Sequence, residues 1–320
     1  MYPLKFEDIL RPMIWGGEEI SRFKQLPEVH PGIGESWEIS QVGDRISVVS
    51  EGEDKGKTIT ELIKRDGANL LGKHVAARYA DKFPLLIKFI DAHDNLSIQV
   101  HPNDELAMAR HNSFGKTEMW YVIDAKPGAG LYSGFSKQIT PAEYVERIKN
   151  NTITDVLQFH EVKSGDVFFL PAGRIHAICE GILIAEIQQS SDITYRIYDY
   201  DRRDAQGNAR ELHIEQSIDA VDFKMYDNLR TDYAAKNNDA VGLVKCPYFN
   251  TSLYNITYSK VLDYSDIDSF IILIGIGGMG KLTDTEGNVR FLHECESLLI
   301  PATTATLYIE GPVKFLETYV

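Results

Sequence analysis

Cysteine is scarce in this chain of 320 residues, with three in all, Cys179, Cys246 and Cys295. None is close to another, which excludes a disulfide framework and a thiolate metal site and fits a reducing cytoplasm. Long apolar runs are missing too, and nothing approaches the roughly 20 residues a bilayer-spanning helix needs. Met1 to Asp8 lacks a basic segment followed by an apolar one, so no signal peptide is expected. Positive charge is short: 33 Lys and Arg stand against 47 Asp and Glu, a net −14. That balance disfavours nucleic acid, which proteins grip by placing cations on phosphates. An anionic ligand would need a few focused cations working against the global field.

Short strands separated by Asp, Gly, Pro and Asn make up most of what is present. Ile46–Val49, Leu85–Ile90, Ser97–Val100, Met119–Ile123 and Val167–Leu170 read this way. Helical patterns are fewer. Thr60–Arg65 opens with a Thr cap, and Asp104–Ala109 follows a Pro-Asn start. Thr140–Ile148 combines a Thr cap, Pro141 at the first helical position and Glu143 at the capping-box position.

Two segments carry chemistry. In Leu96-Ser97-Ile98-Gln99-Val100-His101-Pro102-Asn103-Asp104, Gln99 and His101 alternate as inward positions, and Glu118 can return on a neighbouring strand. Downstream, Gly165 to His176 holds Pro171, Gly173 and a second imidazole. Two imidazoles, a carboxylate and a carboxamide form a ligand set for one divalent metal inside a small β-barrel. Zinc takes such donors and keeps one position open in catalytic sites; Fe, Mn, Co or Ni would also accept them. A single histidine usually binds nothing, but an unpaired Glu118 between apolar strands would be costly without a cation. His93 and His111 read as solvated loop residues, and His160, beside Glu161, as structural.

The downstream signal recurs. Leu299-Ile300-Pro301-Ala302 echoes Leu170-Pro171-Ala172, and Phe270–Gly275 resembles the segment after Glu118. Ser269 and Thr306 then stand where Glu118 and His176 would be, so a second barrel is expected to lack the metal ligands.

Gly34–Ser40, Ser97–Asp104, Gly115–Trp120 and Glu186–Arg196 resemble type I mannose-6-phosphate isomerase of the cupin superfamily, in its short bacterial form. The resemblance runs from Trp15-Gly16-Gly17 to about residue 225, and more faintly beyond. It implies a mainly β fold of two cupin-like antiparallel β-barrels (jelly rolls) with a few helices. Residues 1–235 would form the catalytic domain and 236–320 the degenerate one. Carried over by motif, one zinc ion falls to Gln99, His101, Glu118 and His176. Arg196 and Lys116 become the catalytic pair, and Ser97, Lys88, Glu186 and Asp192 line the substrate pocket. The implied reaction interconverts mannose 6-phosphate and fructose 6-phosphate through an enediol. The expected partner is a small sugar phosphate, with no nucleic acid or membrane, in a cytoplasmic monomer or weak homodimer.

From the residues alone, blander readings compete. Lys88 reads as an edge-strand lysine, Arg196 as part of a salt-bridged strand, Asp192 as a turn cap, and Ser97 as a strand hydroxyl. Either Asp192 or Glu186 could carry a proton if burial raised its pKa. A barrel oxygenase and a sugar-phosphate sensor without turnover are the alternative functions. Gly275–Gly280 invites a nucleotide-binding reading that fails, because no helix follows it.

Overall fold

The apolar runs Leu85–Ala92 and Ile182–Gln189 pair as antiparallel strands and are buried at every residue. In this computed structural model, which describes residues 1–204 and 206–320, they sit in the middle of a six-stranded sheet. Its order is Ile9–Gly17, Ile33–Ile39, Leu85–Ala92, Ile182–Gln189, Glu118–Ala125, Val167–Leu170. Burial throughout means that both faces are covered, and the period-two alternation of side chains says by what. Ile90, Ala92, Ile182, Ile184, Trp120 and Val122 turn inward to one core with Trp15 and Phe168. Their neighbours Ile87, Phe89, Ala185, Ile187 and Met119 turn outward to a different core.

A five-stranded sheet closes the first barrel, in the order Tyr195–Tyr198, Ile98–Val100, His176–Ile178, Gly130–Phe135, Leu157–Glu161. Its outer face packs Ile98, Val100, Ala177 and Tyr195 with Tyr144 and Ile148 of the helix Pro141–Lys149. That helix has the Thr140 cap its sequence predicts.

Strands from Val241 to Tyr319 form a separate eight-stranded antiparallel sheet curled around its own core of Tyr254, Ile271, Leu273, Ile300 and Phe315. Its outward residues Ile272, Leu299 and Leu316 share one core with the back of the six-stranded sheet and with Leu62, Leu70 and Val75 of three short helices. The two barrels therefore stand back to back. Lys24, nearly buried, ties this seam by donating to Asp8, to Glu38 and to the Cys295 carbonyl at 2.7 to 3.0 Å. No helix among the described residues is long and apolar enough to cross a membrane.

Several local expectations shift. The helix expected at Thr60–Arg65 is Ile59–Asp66, capped by Thr58 in a full capping box with Glu61, so Thr60 lies inside it. The Ile46–Val49 segment is a strand only at Arg45–Ile46, followed by isolated bridges at Val48 and Val49. His111 ends the helix Asp104–His111, and its ring meets the Tyr195 hydroxyl at 2.8 Å instead of standing free. The glycine run 275–280 lies within the long strand Ile271–Asp284. A Cβ at Gly275 would sit 2.0 Å from the His293 carbonyl oxygen, and Gly278 has φ +71°. Close backbone approach explains these glycines.

Candidate metal centre and its pocket

Four strands deliver the inward side chains. His176 pairs directly with Gln99, and Gln99 with Arg196, on the five-stranded sheet. Glu118 opens its strand on the opposite sheet, between Leu170 and Gln188. His101 follows one residue past the end of the Gln99 strand. Closing one sheet over the other brings together groups that run from Gln99 to Arg196 in the chain.

Their ligand atoms converge. Among the described residues, His101, Glu118 and His176 form a buried trio whose donor atoms all lie within 4.8 Å of one another. Glu118 Oε1 lies 3.1 Å from His176 Nε2, and Oε2 lies 3.6 Å from His101 Nε2. The Gln99 carboxamide reaches His176 Nε2 at 3.3 Å through Nε2, and a half-turn of the amide would present Oε1 to the same point.

The trio fits a cation. His101 Nδ1 bonds the Ile193 carbonyl at 2.9 Å, and His176 Nδ1 the Arg174 carbonyl at 2.8 Å. A carbonyl only accepts, so each Nδ1 carries the proton and each Nε2 lone pair points inward, as metal-bound imidazoles do. Burial, helped by Lys116 and His176, holds the His101 imidazole well below its ordinary pKa, in the neutral form a metal requires. His101 Nε2 and both Glu118 carboxylate oxygens are buried without a hydrogen-bond partner. Orphaned donors and acceptors of this kind are expensive unless an ion satisfies them.

Above the trio opens a cavity of about 240 Å³. Ser97, Gln99, Lys88, Lys116, Glu186, Asp192 and Arg196 all line it. Lys88 is not an edge residue: its strand lies inside the sheet, and its Nζ meets Glu186 Oε2 at 2.9 Å, both side chains nearly buried. Trp120 Nε1 donates to the other Glu186 oxygen at 2.8 Å. Burial works to raise the Glu186 pKa, but Lys88, Lys116 and these hydrogen bonds outweigh it and lower the value. The condition on which Glu186 could carry a proton, a pKa raised by burial, is therefore not met, because the buried lysine favours the carboxylate.

Lys116, also buried, holds Nζ 3.8 Å from Glu118 Oε2. Burial first, and then the Lys88 charge, lower its pKa. Asp192 is exposed at the rim. Arg196 donates through Nη1 to the Glu211 carbonyl at 2.9 Å, and burial followed by the Arg210 charge lowers its pKa.

Among the lining residues that the sequence reading missed are Arg11, Glu35, Trp37 and Arg210. Glu35 accepts from Trp37 Nε1 at 2.7 Å and from Arg11 at 3.2 Å, and Arg11 stacks on the Trp37 ring at 4.7 Å. Glu35 and Trp37 stood in the quoted Gly34–Ser40 motif at inward alternation, which was the available signal. Arg11 and Arg210 had no motif to flag them.

Fold and site together define a two-barrel cupin whose leading barrel holds, among the described residues, one buried imidazole–carboxylate centre. A family model described as phosphomannose isomerase type I, catalytic domain, matches residues 4–128. Mannose-6-phosphate isomerase ManA of Bacillus subtilis is 35% identical over 322 residues, covering 99% of this chain and 98% of the relative. Mannose-6-phosphate isomerase of Streptococcus mutans is 33% identical over 319 residues, covering 99% and 98%. The crystal structure of the mannose 6-phosphate isomerase from Bacillus subtilis superposes with a TM-score of 0.90 at 29% identity, over 100% of both chains. This chain belongs to the type I mannose-6-phosphate isomerase family.

Proposed function

We propose that this chain interconverts mannose 6-phosphate and fructose 6-phosphate through an enediol, in a cytoplasmic monomer or weak homodimer. One divalent cation, zinc by expectation, would be held by Gln99, His101, Glu118 and His176. The observation that carries the reading is that this orphaned trio lies against Gln99 and Lys116, which line one small cavity together with buried Lys88 and with Arg196. Such a cation, when bound, positions and polarises substrate oxygens.

The remaining work falls to the chain's own side chains. A proton leaves C2 and returns at C1, while another passes between O1 and O2. Lys116, beside the ligand Glu118, is the candidate acid–base group for the oxygen proton. Arg196 stays charged and cannot take a proton at working pH, so it suits a negative oxygen. Glu186, ionised and fixed by Lys88 and Trp120, can accept a proton or orient a hydroxyl but has none to give. Ser97 and Asp192 complete the walls, and their hydrogen-bonding groups suit sugar hydroxyls. Residues 1–235 are read as the catalytic unit and 236–320 as the degenerate one.

A coupled assay for fructose 6-phosphate, run with and without chelator beside a metal analysis, tests this. Turnover that falls on chelation and returns with a divalent ion is expected. Arg196→Ala should cut kcat/KM by about 100-fold or more. A metal-free native protein with undiminished turnover would overturn the reading, as would full activity in both Arg196→Ala and Lys116→Ala. Oxygen consumption would signal an oxygenase instead, and binding without conversion a sensor.

A further inference from the structure

The cavity carries an imbalance that the chemistry above does not use. Its walls hold five cations, Arg11, Lys88, Lys116, Arg196 and Arg210, against the acids Glu35, Glu186 and Asp192. Four of the cations have a carboxylate within ion-pair distance: Arg11 has Glu35, Lys88 has Glu186, Lys116 has Glu118 and Arg210 has Asp199. Among the described residues, Arg196 has none. Arg210 commits Nε and Nη2 to Asp199 at 2.7 and 2.6 Å, and Asp199 is only 5% exposed. Among the described residues, the Arg196 guanidinium donates only to a backbone carbonyl, and its Nε is buried without a partner. Two like charges at one pocket wall repel, and the cost is offset when an anion sits between them.

Position specifies which anion. Arg196 stands beside Gln99 across the sheet, and Gln99 beside His176. Two strand spacings, roughly 10 Å, therefore separate the arginine from the far ligand. A six-carbon sugar whose reacting carbons lie at the ligand trio would extend its far end toward the arginine pair. Guanidinium groups match phosphate oxygens in a forked geometry that an ammonium lacks. We propose that Arg210, together with Arg196, binds the phosphate of the substrate, and that Asp199 is the positioning residue that fixes Arg210. This inference rests on the isomerase reading of the same cavity.

The test compares wild type with Arg210→Ala, Arg210→Lys and Asp199→Asn. Each is assayed on mannose 6-phosphate and on free mannose, and titrated calorimetrically with inorganic phosphate. Arg210→Ala should raise KM for mannose 6-phosphate and weaken inorganic phosphate by about tenfold or more, with a much smaller change in kcat. The preference for the phosphorylated over the free sugar, as a ratio of kcat/KM, should fall by a similar factor. Arg210→Lys should recover part of the loss, and Asp199→Asn should raise KM in the same direction. Equal losses on both sugars, or an unchanged KM and phosphate affinity, would overturn the proposal while leaving the isomerase reading intact. If the wild type shows no turnover, that reading fails, and Arg210-dependent phosphate binding still decides whether the anion site exists.

Discussion

Glu317 occupies in the second barrel the register that Glu186 occupies in the first. Glu186 lies between Lys88 and Trp120 on its two neighbouring strands, and Glu317 between Ser252 and Leu273. The lysine has no counterpart, and the Tyr264 hydroxyl donates to Glu317 at 2.7 Å instead. The same carboxylate is thus ionised in one barrel and held toward its protonated form in the other. Burial pushes Glu317 up to about 7 from an ordinary 4.5, although the Tyr264 bond works the other way.

That shift makes stability depend on pH. Between about 4.5 and 7 the folded chain binds more proton at Glu317 than the unfolded chain does. Stability is then highest on the acid side and falls as pH rises through this window, by up to about 3 kcal/mol. Buried Glu38, also raised, acts in the same direction. Glu317→Gln should melt higher than wild type at pH 8 and close to it at pH 4.5. Parallel melting curves across the window would refute the assignment.

Chelation should lower the melting temperature. A cation that binds only the folded state adds about 4 kcal/mol at a thousandfold excess over its Kd. Removing it leaves Glu118 and His101 with buried, unsatisfied atoms. Thermal scans with a chelator, followed by back-titration with zinc, manganese or cobalt, should show loss and recovery. Glu118→Gln should show neither.

Lys88 and Glu186 form a buried pair, so removing one partner strands the other. Lys88→Met should destabilise by about 3–5 kcal/mol, because Glu186 is left charged and buried. Lys88→Met with Glu186→Gln should regain most of that, since Trp120 Nε1 still finds an acceptor. Urea denaturation of wild type, both single variants and the double variant measures it, and additive losses would count against the coupling.

Asp268, from the second barrel, caps the helix Lys73–Tyr79 by accepting from the Lys73 and His74 amides at 2.7 and 2.9 Å. Gly72 makes room for this contact at φ +89°, and a Cβ there would lie 2.4 Å from the Asp268 carbonyl oxygen. Gly72→Ala should cost about 1–3 kcal/mol in backbone strain alone, and Asp268→Ala about 1 kcal/mol for the lost cap. Equilibrium unfolding should rank them in that order.

The ligand trio was legible in the sequence because strand alternation is local and each donor sits in a dense motif. The faint second copy was harder. Leu170 pairs with Glu118, while its counterpart Ile300 pairs with Ile271, so Ile271 and not Ser269 stands in the ligand's place. A slip of two keeps every side chain on its own face, so periodicity cannot detect it. Thr306, by contrast, pairs with Asp263 as His176 pairs with Gln99, which agrees with the sequence alignment. Arg11 and Arg210 reach the pocket through sheet order and a loop, neither of which leaves a periodic trace.

Because Ile87, Ala185, Ile272 and Leu316 meet in one shared core, neither half has a finished exterior of its own. A chain cut after residue 235 should expose that greasy back and precipitate, even with every reactive group present. Among the described residues the trailing half contributes nothing to the metal trio, yet its hidden face is what its neighbour needs as a lining.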